Sequence, residues 1–288
     1  MAVLFRSRVE AIFVWSWVTT IICLVLGRGF PPLGPTLLTI LSMIFLSVST
    51  YLYNDVIDMD MDALNEVKGK RPLPSKKVTV GDAMKVIYLL GFLGLGIMLT
   101  VNLPSFFFAL LYVLILIGYS HPKIRFKKRF ILNEAFHFLC FPTVGLMVGY
   151  ALAGRVVPQA LFASIIVGCY ATPMKPLFGD ATDTHEDKLF GMKHLGVVLS
   201  WKGKIQLMTA AVLFIMTVTP LTYVQLGFNM LLPIMIVGLS LVFLRFMFPI
   251  IDHYDKVPYL KARKFAMGYF ILLNVLLLIG TLDLPFFK

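Results

Sequence analysis

Charged residues are scarce in this chain of 288 residues: only 14% are Asp, Glu, Lys or Arg, whereas 59% are hydrophobic. Soluble domains usually carry about a quarter charged residues. The shortage excludes an ordinary soluble globule, a disordered chain and a DNA-binding domain, and it predicts a membrane protein with several spans. The net charge of +11 therefore does not indicate a nucleic-acid partner, because basic residues also accumulate on the cytoplasmic side of membrane proteins.

Cysteine and histidine are also few. The three cysteines, Cys23, Cys140 and Cys169, lie in apolar segments without CxxC spacing, which argues against a disulfide framework. No pair of the five histidines has the spacing of a zinc site beside cysteines. The sequence contains neither a Walker-type loop nor a GxGxxG motif, so nucleotide binding is not indicated.

Long apolar runs are abundant instead. A spanning helix needs roughly 20 mostly apolar residues, and unpaired backbone groups are so costly in lipid that the spans should be α-helical. The sequence predicts an all-α polytopic membrane protein of one domain, 1–288, with nine transmembrane helices around a central cavity. The predicted spans are 10–27, 35–53, 81–101, 104–120, 132–153, 157–175, 204–223, 228–250 and 264–284.

The basic residues predict the orientation. With the N-terminus inside, the outward side receives only Arg28, Arg155 and Lys288 of the 26 basic residues. This asymmetry predicts a cytoplasmic N-terminus and an outward C-terminus. The long loops then all lie on the cytoplasmic side, where we expect the active site.

A first acidic cluster follows the second span. If the helix continues, Asn54, Asp58 and Asp62 recur every four residues on one face, with Asp55 beside them and Asp60 pointing elsewhere. Oxygen ligands on one face suit Mg²⁺. The alternative is a solvated acidic helix end.

A second acidic cluster follows the sixth span. Asp183 and Asp187 repeat the four-residue spacing, and Asp180 lies one turn earlier. Two clusters at the inner ends of even-numbered helices hint at two four-helix units followed by a ninth helix. Together they predict a site for two metal ions with a diphosphate between them.

Basic and hydroxyl residues in the same loops could bind that diphosphate. Arginine and lysine neutralise phosphate oxygens, and hydroxyl groups donate hydrogen bonds to them. Setting the topology is the preferred explanation for four loop cations, Lys76, Lys77, Lys128 and Arg129, and it explains Arg71 and Lys127 equally well. The candidate diphosphate ligands are Lys68, Arg71, Tyr119, Ser120, Arg125 and Lys127.

These motifs together resemble the UbiA superfamily of intramembrane prenyltransferases. The stretch from Asn54 to Asp62 resembles the first signature of that family, and the stretch from Asp180 to Asp187 resembles the second. Arg71-Pro72-Leu73-Pro74 and the Tyr119–Lys127 loop resemble its basic loops, so the likeness covers essentially the whole chain.

The resemblance implies Mg²⁺-dependent transfer of a prenyl group from a polyprenyl diphosphate to a lipophilic acceptor within the lipid bilayer. Asn54, Asp58, Asp62, Asp183 and Asp187 would hold two Mg²⁺ ions. Asp55 and Asp180 would activate the acceptor or support the metal ligands. Candidate acceptors are an aromatic such as 4-hydroxybenzoate or a naphthoate, and a prenylglyceryl phosphate.

Two other classes of function would also use acidic residues in a membrane protein. A cation-coupled transporter would use them as ion sites, although such sites typically lie near the bilayer midplane on broken helices. A non-catalytic lipid-binding scaffold would bind prenyl diphosphate without regard to Mg²⁺. The position of both clusters at inner helix ends beside basic loops favours the enzyme.

Overall fold

The computed structural model describes residues 9–66, 68–179 and 184–287, and within these ranges the chain is helical and has no β-strand. The all-α prediction is thereby confirmed for the described part of the chain. The long helices, which we number α1 to α9, are Val9–Leu26, Leu33–Ile57, Val80–Val101, Leu103–Ser120, Leu132–Ala153, Pro158–Met174, Trp201–Thr222, Leu231–Met247 and Lys256–Ile279.

Eight of these helices, α2 to α9, are long and apolar enough to cross a membrane. In α1 the apolar part is shorter and runs over Ile12–Leu26. The chain is therefore an integral membrane protein by helix length and composition, and its ninth span stays a prediction.

The ninth long helix begins well before the predicted span. Its first turns contain Lys256, Lys261 and Arg263, which an apolar-run criterion leaves out. The Asp255 side chain accepts a hydrogen bond from the backbone N–H of Val257, at 3.3 Å, and so caps the helix at this earlier point. A capped helix extends beyond its apolar part wherever water is available to the outer turns.

Helix α1 packs inside the bundle. It contacts α2, α5, α6 and α9, and Trp15 is almost fully buried against Tyr112 of α4 and Phe141 of α5. The ring centroids are 5.2 Å and 5.0 Å apart in these two pairs. Helices from both predicted four-helix units thus share one core with α1.

Short and long connections alternate along the chain. Asn102 ends α3 and also caps α4 by accepting a hydrogen bond from the Ser105 backbone N–H. Gly154 ends α5 in the left-handed region, at φ 66°, where a side chain is disfavoured. Because consecutive helices reverse direction at such turns, the described parts of the long connections, 58–66, 68–79, 121–131, 175–179 and 184–200, lie together at the other end.

Candidate active site

A cavity of about 430 Å³ opens at the end of the bundle that carries the long connections. Side chains from α2, α4 and α5 and from all three long connections line it. Most of the residues singled out from the sequence are brought together here: Asn54, Asp58, Lys68, Arg71, Tyr119, Ser120, Lys127 and Asp187.

The first acidic cluster has a break in its helix. Helix α2 ends at Ile57, Asp58 leaves the helical backbone conformation (φ −97°, ψ 6°), and a short helix follows over Met59–Asp62. The helix therefore does not continue unbroken through the cluster, although the backbone N–H of Asp58 still donates to Asn54 O and that of Asp62 to Asp58 O. Asp58 and Asp62 are nevertheless both buried, whereas Asp60 is exposed, as its position around the helix predicts.

Lys127 is the main partner of Asp58. Its ammonium contacts both carboxylate oxygens of Asp58 and lies 3.3 Å from Asn54 Oδ1. Arg125 Nη2 lies 3.4 Å from Asp58 Oδ1, and Ser120 Oγ donates a 2.7 Å hydrogen bond to Asn54 Oδ1. The loop after α4 thus binds the first acidic cluster directly.

Burial of Lys127 has an electrostatic consequence. Removal from water lowers the pKa of Lys127 below the usual lysine value, and the adjacent Asp58 carboxylate opposes this shift by stabilising the charged form. Only 5% of each residue is exposed. Because water does not screen the attraction between the two charges, each group holds the other in place.

Packing of Phe126 explains why Lys127 points inward. The Phe126 ring stacks on Phe136 of α5 with centroids 3.8 Å apart. It also lies against Gly118 of α4, where an added Cβ would come within 3.0 Å of the ring. The missing side chain at Gly118 lets the loop approach α4, and this places the following lysine in the cavity.

Arg71 joins the other two buried acids of the first cluster. Its Nη1 lies 3.0 Å from Asp62 Oδ2 and 3.4 Å from Asp55 Oδ1. Asp55, Asp62 and Arg125 do not line the cavity surface themselves; they contact residues that do.

The second acidic cluster is described only at its end. Asp180 and Asp183 lie outside the described residues. Asp187 is buried, and its Oδ2 lies 3.0 Å from Nε2 of His194. His194 Nδ1 accepts a hydrogen bond from the Gly196 backbone N–H, so in the neutral ring the proton is on Nε2 and is directed to Asp187.

The predicted set omits several polar residues of the cavity, among them Lys175, Asn133 and His194. Lys175 follows α6 directly; its Nζ donates to Tyr119 OH at 2.7 Å and lies 3.4 Å from Asn133 Oδ1. A lysine at the end of a predicted span is a signal of function that sequence reasoning could have used. Asn133 and His194 carry no such signal, because their roles arise from contacts between distant segments.

The side-chain oxygen atoms that line the cavity are suitable ligands for Mg²⁺. Asn54 and Asp58 already enclose a cation, the Lys127 ammonium, and their oxygens are of the hard type that Mg²⁺ prefers. Within 9–66, 68–179 and 184–287, no three acidic, histidine or cysteine side chains converge on one point. The described residues thus offer separate ligands on the walls of one cavity.

Known proteins are similar to this chain over most of its length. The chain is 26% identical to the digeranylgeranylglyceryl phosphate synthase of Sulfurisphaera tokodaii over 249 residues, which cover 85% of this chain and 86% of that protein. It is 23% identical to the 4-hydroxybenzoate octaprenyltransferase of Psychromonas ingrahamii over 195 residues, which cover 66% and 64% of the two chains.

A solved structure has the same fold. It is a UbiA homolog from Archaeoglobus fulgidus bound to DMAPP and Mg²⁺, and it superposes with a TM-score of 0.67 at 18% identity, covering 93% of this chain and 97% of that one. The sequence pattern of the UbiA prenyltransferase family matches residues 16–274, nearly the whole chain. This protein belongs to the UbiA prenyltransferase family.

Proposed function

We propose that this chain transfers a prenyl group from a polyprenyl diphosphate to a lipophilic acceptor in a Mg²⁺-dependent reaction. One observation carries the proposal: buried carboxylates from two separate parts of the chain, Asp58 and Asp187, line the same cavity as Lys127 and Arg71. Carboxylates and cations facing one space suit a metal-bound diphosphate. The Archaeoglobus homolog was solved with DMAPP and Mg²⁺, which supports this assignment.

The metal ligands in this proposal are Asn54, Asp58, Asp62 and Asp187, together with Asp183, and two ions are expected. When bound, Mg²⁺ neutralises the diphosphate and so stabilises its charge as a leaving group.

The cations of the chain supply the remaining charge. Arg71, Lys127, Arg125 and Lys68 would donate hydrogen bonds to diphosphate oxygens that gain negative charge as the C1–O bond breaks. Tyr119 and Ser120 would add hydroxyl donors. The ammonium of Lys127, which contacts Asp58, would exchange part of this contact for the diphosphate.

The bond changes define what the rest of the cavity must do. The electron pair of the C1–O bond leaves with the diphosphate, the resulting allylic carbocation accepts an electron pair from the acceptor, and the acceptor proton passes to a base. Asp55 and Asp180 are the candidate bases. Met61, Leu116 and Met192 line the cavity, and we expect these apolar side chains to keep water from capturing the cation.

Among the acceptors, we propose a prenylglyceryl phosphate first. The relative from Sulfurisphaera tokodaii, which is similar over 85% of this chain, is named for such a product. A hydroxybenzoate is the second candidate, because a relative named for that acceptor is 23% identical over a shorter stretch.

An acceptor screen tests the reaction. Purified protein in nanodiscs would be incubated with labelled DMAPP, geranyl and geranylgeranyl diphosphates and with each acceptor, and products would be identified by mass spectrometry. We expect a prenylated acceptor with release of diphosphate, and none after chelation of Mg²⁺. Prenyl diphosphate binding that ignores Mg²⁺, with no product from any acceptor, would contradict the proposal and favour a lipid-binding scaffold.

We also propose that the N-terminus and the active site face the cytoplasm and the C-terminus faces outward. Support comes from the basic residues of the long connections, which lie at the cavity end of the bundle. Lys123→Cys and Arg155→Cys would each be introduced into a chain whose three native cysteines are replaced by serine. Intact cells would then be treated with a thiol reagent that does not cross membranes. Labelling at 155 and protection at 123 are expected; the reverse pattern would contradict the orientation.

Arg71 provides a graded test of diphosphate binding. Charged hydrogen bonds are worth about 1.5–3 kcal/mol, so we expect Arg71→Ala to lower kcat/KM for the prenyl diphosphate about 10- to 100-fold. Arg71→Lys should lose less, because it retains the charge without the guanidinium fork. The neighbouring and exposed Lys70 is the matched control, and equal losses in Lys70→Ala and Arg71→Ala would refute a specific role for Arg71.

A further inference from the structure

Glu134, in the first turn of α5, is a buried acid that the predicted site does not include. Only 6% of it is exposed, and it is not among the cavity-lining residues. Its Oε1 accepts two hydrogen bonds: one from Asn133 Nδ2 at 2.9 Å and one from the backbone N–H of Leu195 at 3.0 Å. These bonds connect α5 to the segment that follows the second acidic cluster.

The first bond orients Asn133 toward the cavity. Because Nδ2 of its amide is directed to Glu134, Oδ1 is the atom that faces Lys175, whose Nζ is 3.4 Å away. Lys175 also donates to Tyr119 OH at 2.7 Å. Glu134 thereby fixes one of the polar contacts that orient the Lys175 ammonium.

The second bond fixes the segment that carries His194. Leu195 is the first residue of the short helix Leu195–Val198, which His194 caps through Nδ1. The other ring nitrogen of His194 contacts Asp187 Oδ2. Holding the Leu195 N–H therefore also holds the ring that orients Asp187.

We propose that Glu134 is a positioning residue that places Lys175 and Asp187 on the cavity wall through Asn133 and through Leu195–His194. This inference rests on the proposed function, because that proposal makes Asp187 a metal ligand. The effect should be seen first in Mg²⁺-dependent binding, because a displaced carboxylate ligand weakens metal affinity about 10- to 100-fold when its supporting hydrogen bonds are lost.

Two substitutions at Glu134 separate the hydrogen bond from the charge. Oε2 has no hydrogen-bond partner within the described residues, so Glu134→Gln can keep Oε1 as the acceptor of both bonds. Glu134→Leu removes the acceptor at similar volume. We expect Glu134→Leu to raise the Mg²⁺ concentration for half-maximal binding of geranyl diphosphate about 10-fold or more. For Glu134→Gln we expect this concentration to stay within about 3-fold of that of the unsubstituted protein, a smaller change than the loss of one hydrogen bond typically causes.

Leu195→Pro tests the same link from the other side. It deletes the N–H that donates to Glu134 and replaces the half-buried leucine side chain with the proline ring, and proline is well tolerated at the first position of a helix. His194 has the extended backbone, φ −80° and ψ 170°, that proline requires of the preceding residue. We expect this variant to resemble Glu134→Leu. It also keeps the test decisive if Glu134→Leu does not fold.

The readouts are calorimetric binding of geranyl diphosphate at several Mg²⁺ concentrations without acceptor, the KM and kcat of turnover, and the Tm. The control is Asp252→Asn. Asp252 lies in the connection between α8 and α9, and this substitution removes its exposed ion pair with Lys202 of α7. Leu195→Pro with unchanged Mg²⁺ dependence, or Glu134→Gln as impaired as Glu134→Leu, would overturn the inference. Failure of the proposed function is distinct, since the unsubstituted protein would then show neither Mg²⁺-dependent binding nor turnover.

Discussion

Replacement of Asp58 by alanine is expected to reduce prenyl transfer by about 10³-fold, the scale of losing one electrostatic group that stabilises a transition state. Asp58 is buried on the cavity wall at the break after α2, and it contacts both Lys127 and Arg125. The measurement is kcat/KM for the prenyl diphosphate at saturating Mg²⁺.

The matched control is Asp60→Ala, only two residues away. Asp60 is exposed, so its removal should leave turnover near that of the unsubstituted protein. Equal losses from both substitutions would indicate a general effect of the acidic run, and an active Asp58→Ala variant would contradict the proposed ligand set.

Loss of stability must be separated from loss of chemistry. Asp58→Ala leaves the Lys127 ammonium buried without its carboxylate, which typically costs about 3–5 kcal/mol. The double variant Asp58→Ala/Lys127→Met removes both charges, and replacing a buried pair by apolar residues is often neutral. We expect it to regain much of the Tm and to remain inactive.

Replacement of Lys127 by methionine is the second large effect. We expect kcat/KM to fall about 10²- to 10³-fold, because the variant lacks the buried cation that stabilises the negative charge developing on the diphosphate in the transition state. The Tm should also fall, since Asp58 would be buried without its main cation.

Mg²⁺ should affect the stability of this variant more than that of the unsubstituted protein. A ligand that binds only the folded state stabilises it according to its affinity, and in Lys127→Met no ammonium competes for Asp58 and Asn54. The Tm would be measured with increasing Mg²⁺ in both proteins, with Lys128→Met as the neighbouring control. An equal Mg²⁺ response in the three proteins would contradict a metal site at Asp58 and Asn54.

Much of the site could be predicted because it lies in local patterns. The apolar runs predicted helical spans. The four-residue spacing of the first cluster predicted that Asp58 and Asp62 share a face and that Asp60 points elsewhere, and in the structure the first two are buried and Asp60 is exposed. Chain order and the reversal of consecutive helices were enough to bring the long connections to one end, where the loop cations contact the acids.

The remaining features depend on contacts between distant segments. The break at Asp58 occurs where the segment between α2 and α3 begins, and no glycine or proline marks it. The roles of Asn133 and Glu134 depend on one such contact: the Leu195 backbone N–H and the Asn133 amide both donate to Oε1 of Glu134. The inward direction of Lys127 depends on Phe126 packing against Gly118, a contact that spacing along the chain does not indicate.

Family membership supports the enzyme over the transporter, because the family matched over residues 16–274 is one of prenyltransferases. The cavity also lies at the ends of α2 and α4 beside the connections, whereas ion sites of transporters typically lie near the bilayer midplane.

The most direct test of the central claim is the Mg²⁺ dependence of product formation from labelled geranylgeranyl diphosphate and geranylgeranylglyceryl phosphate, measured for the unsubstituted protein, Asp58→Ala and Asp187→Ala. We predict a prenylated product that requires Mg²⁺ in the unsubstituted protein and is lost in both variants, while Asp60→Ala retains it. Product formation that persists in both variants would contradict the claim that carboxylates from the two acidic clusters jointly hold the magnesium diphosphate.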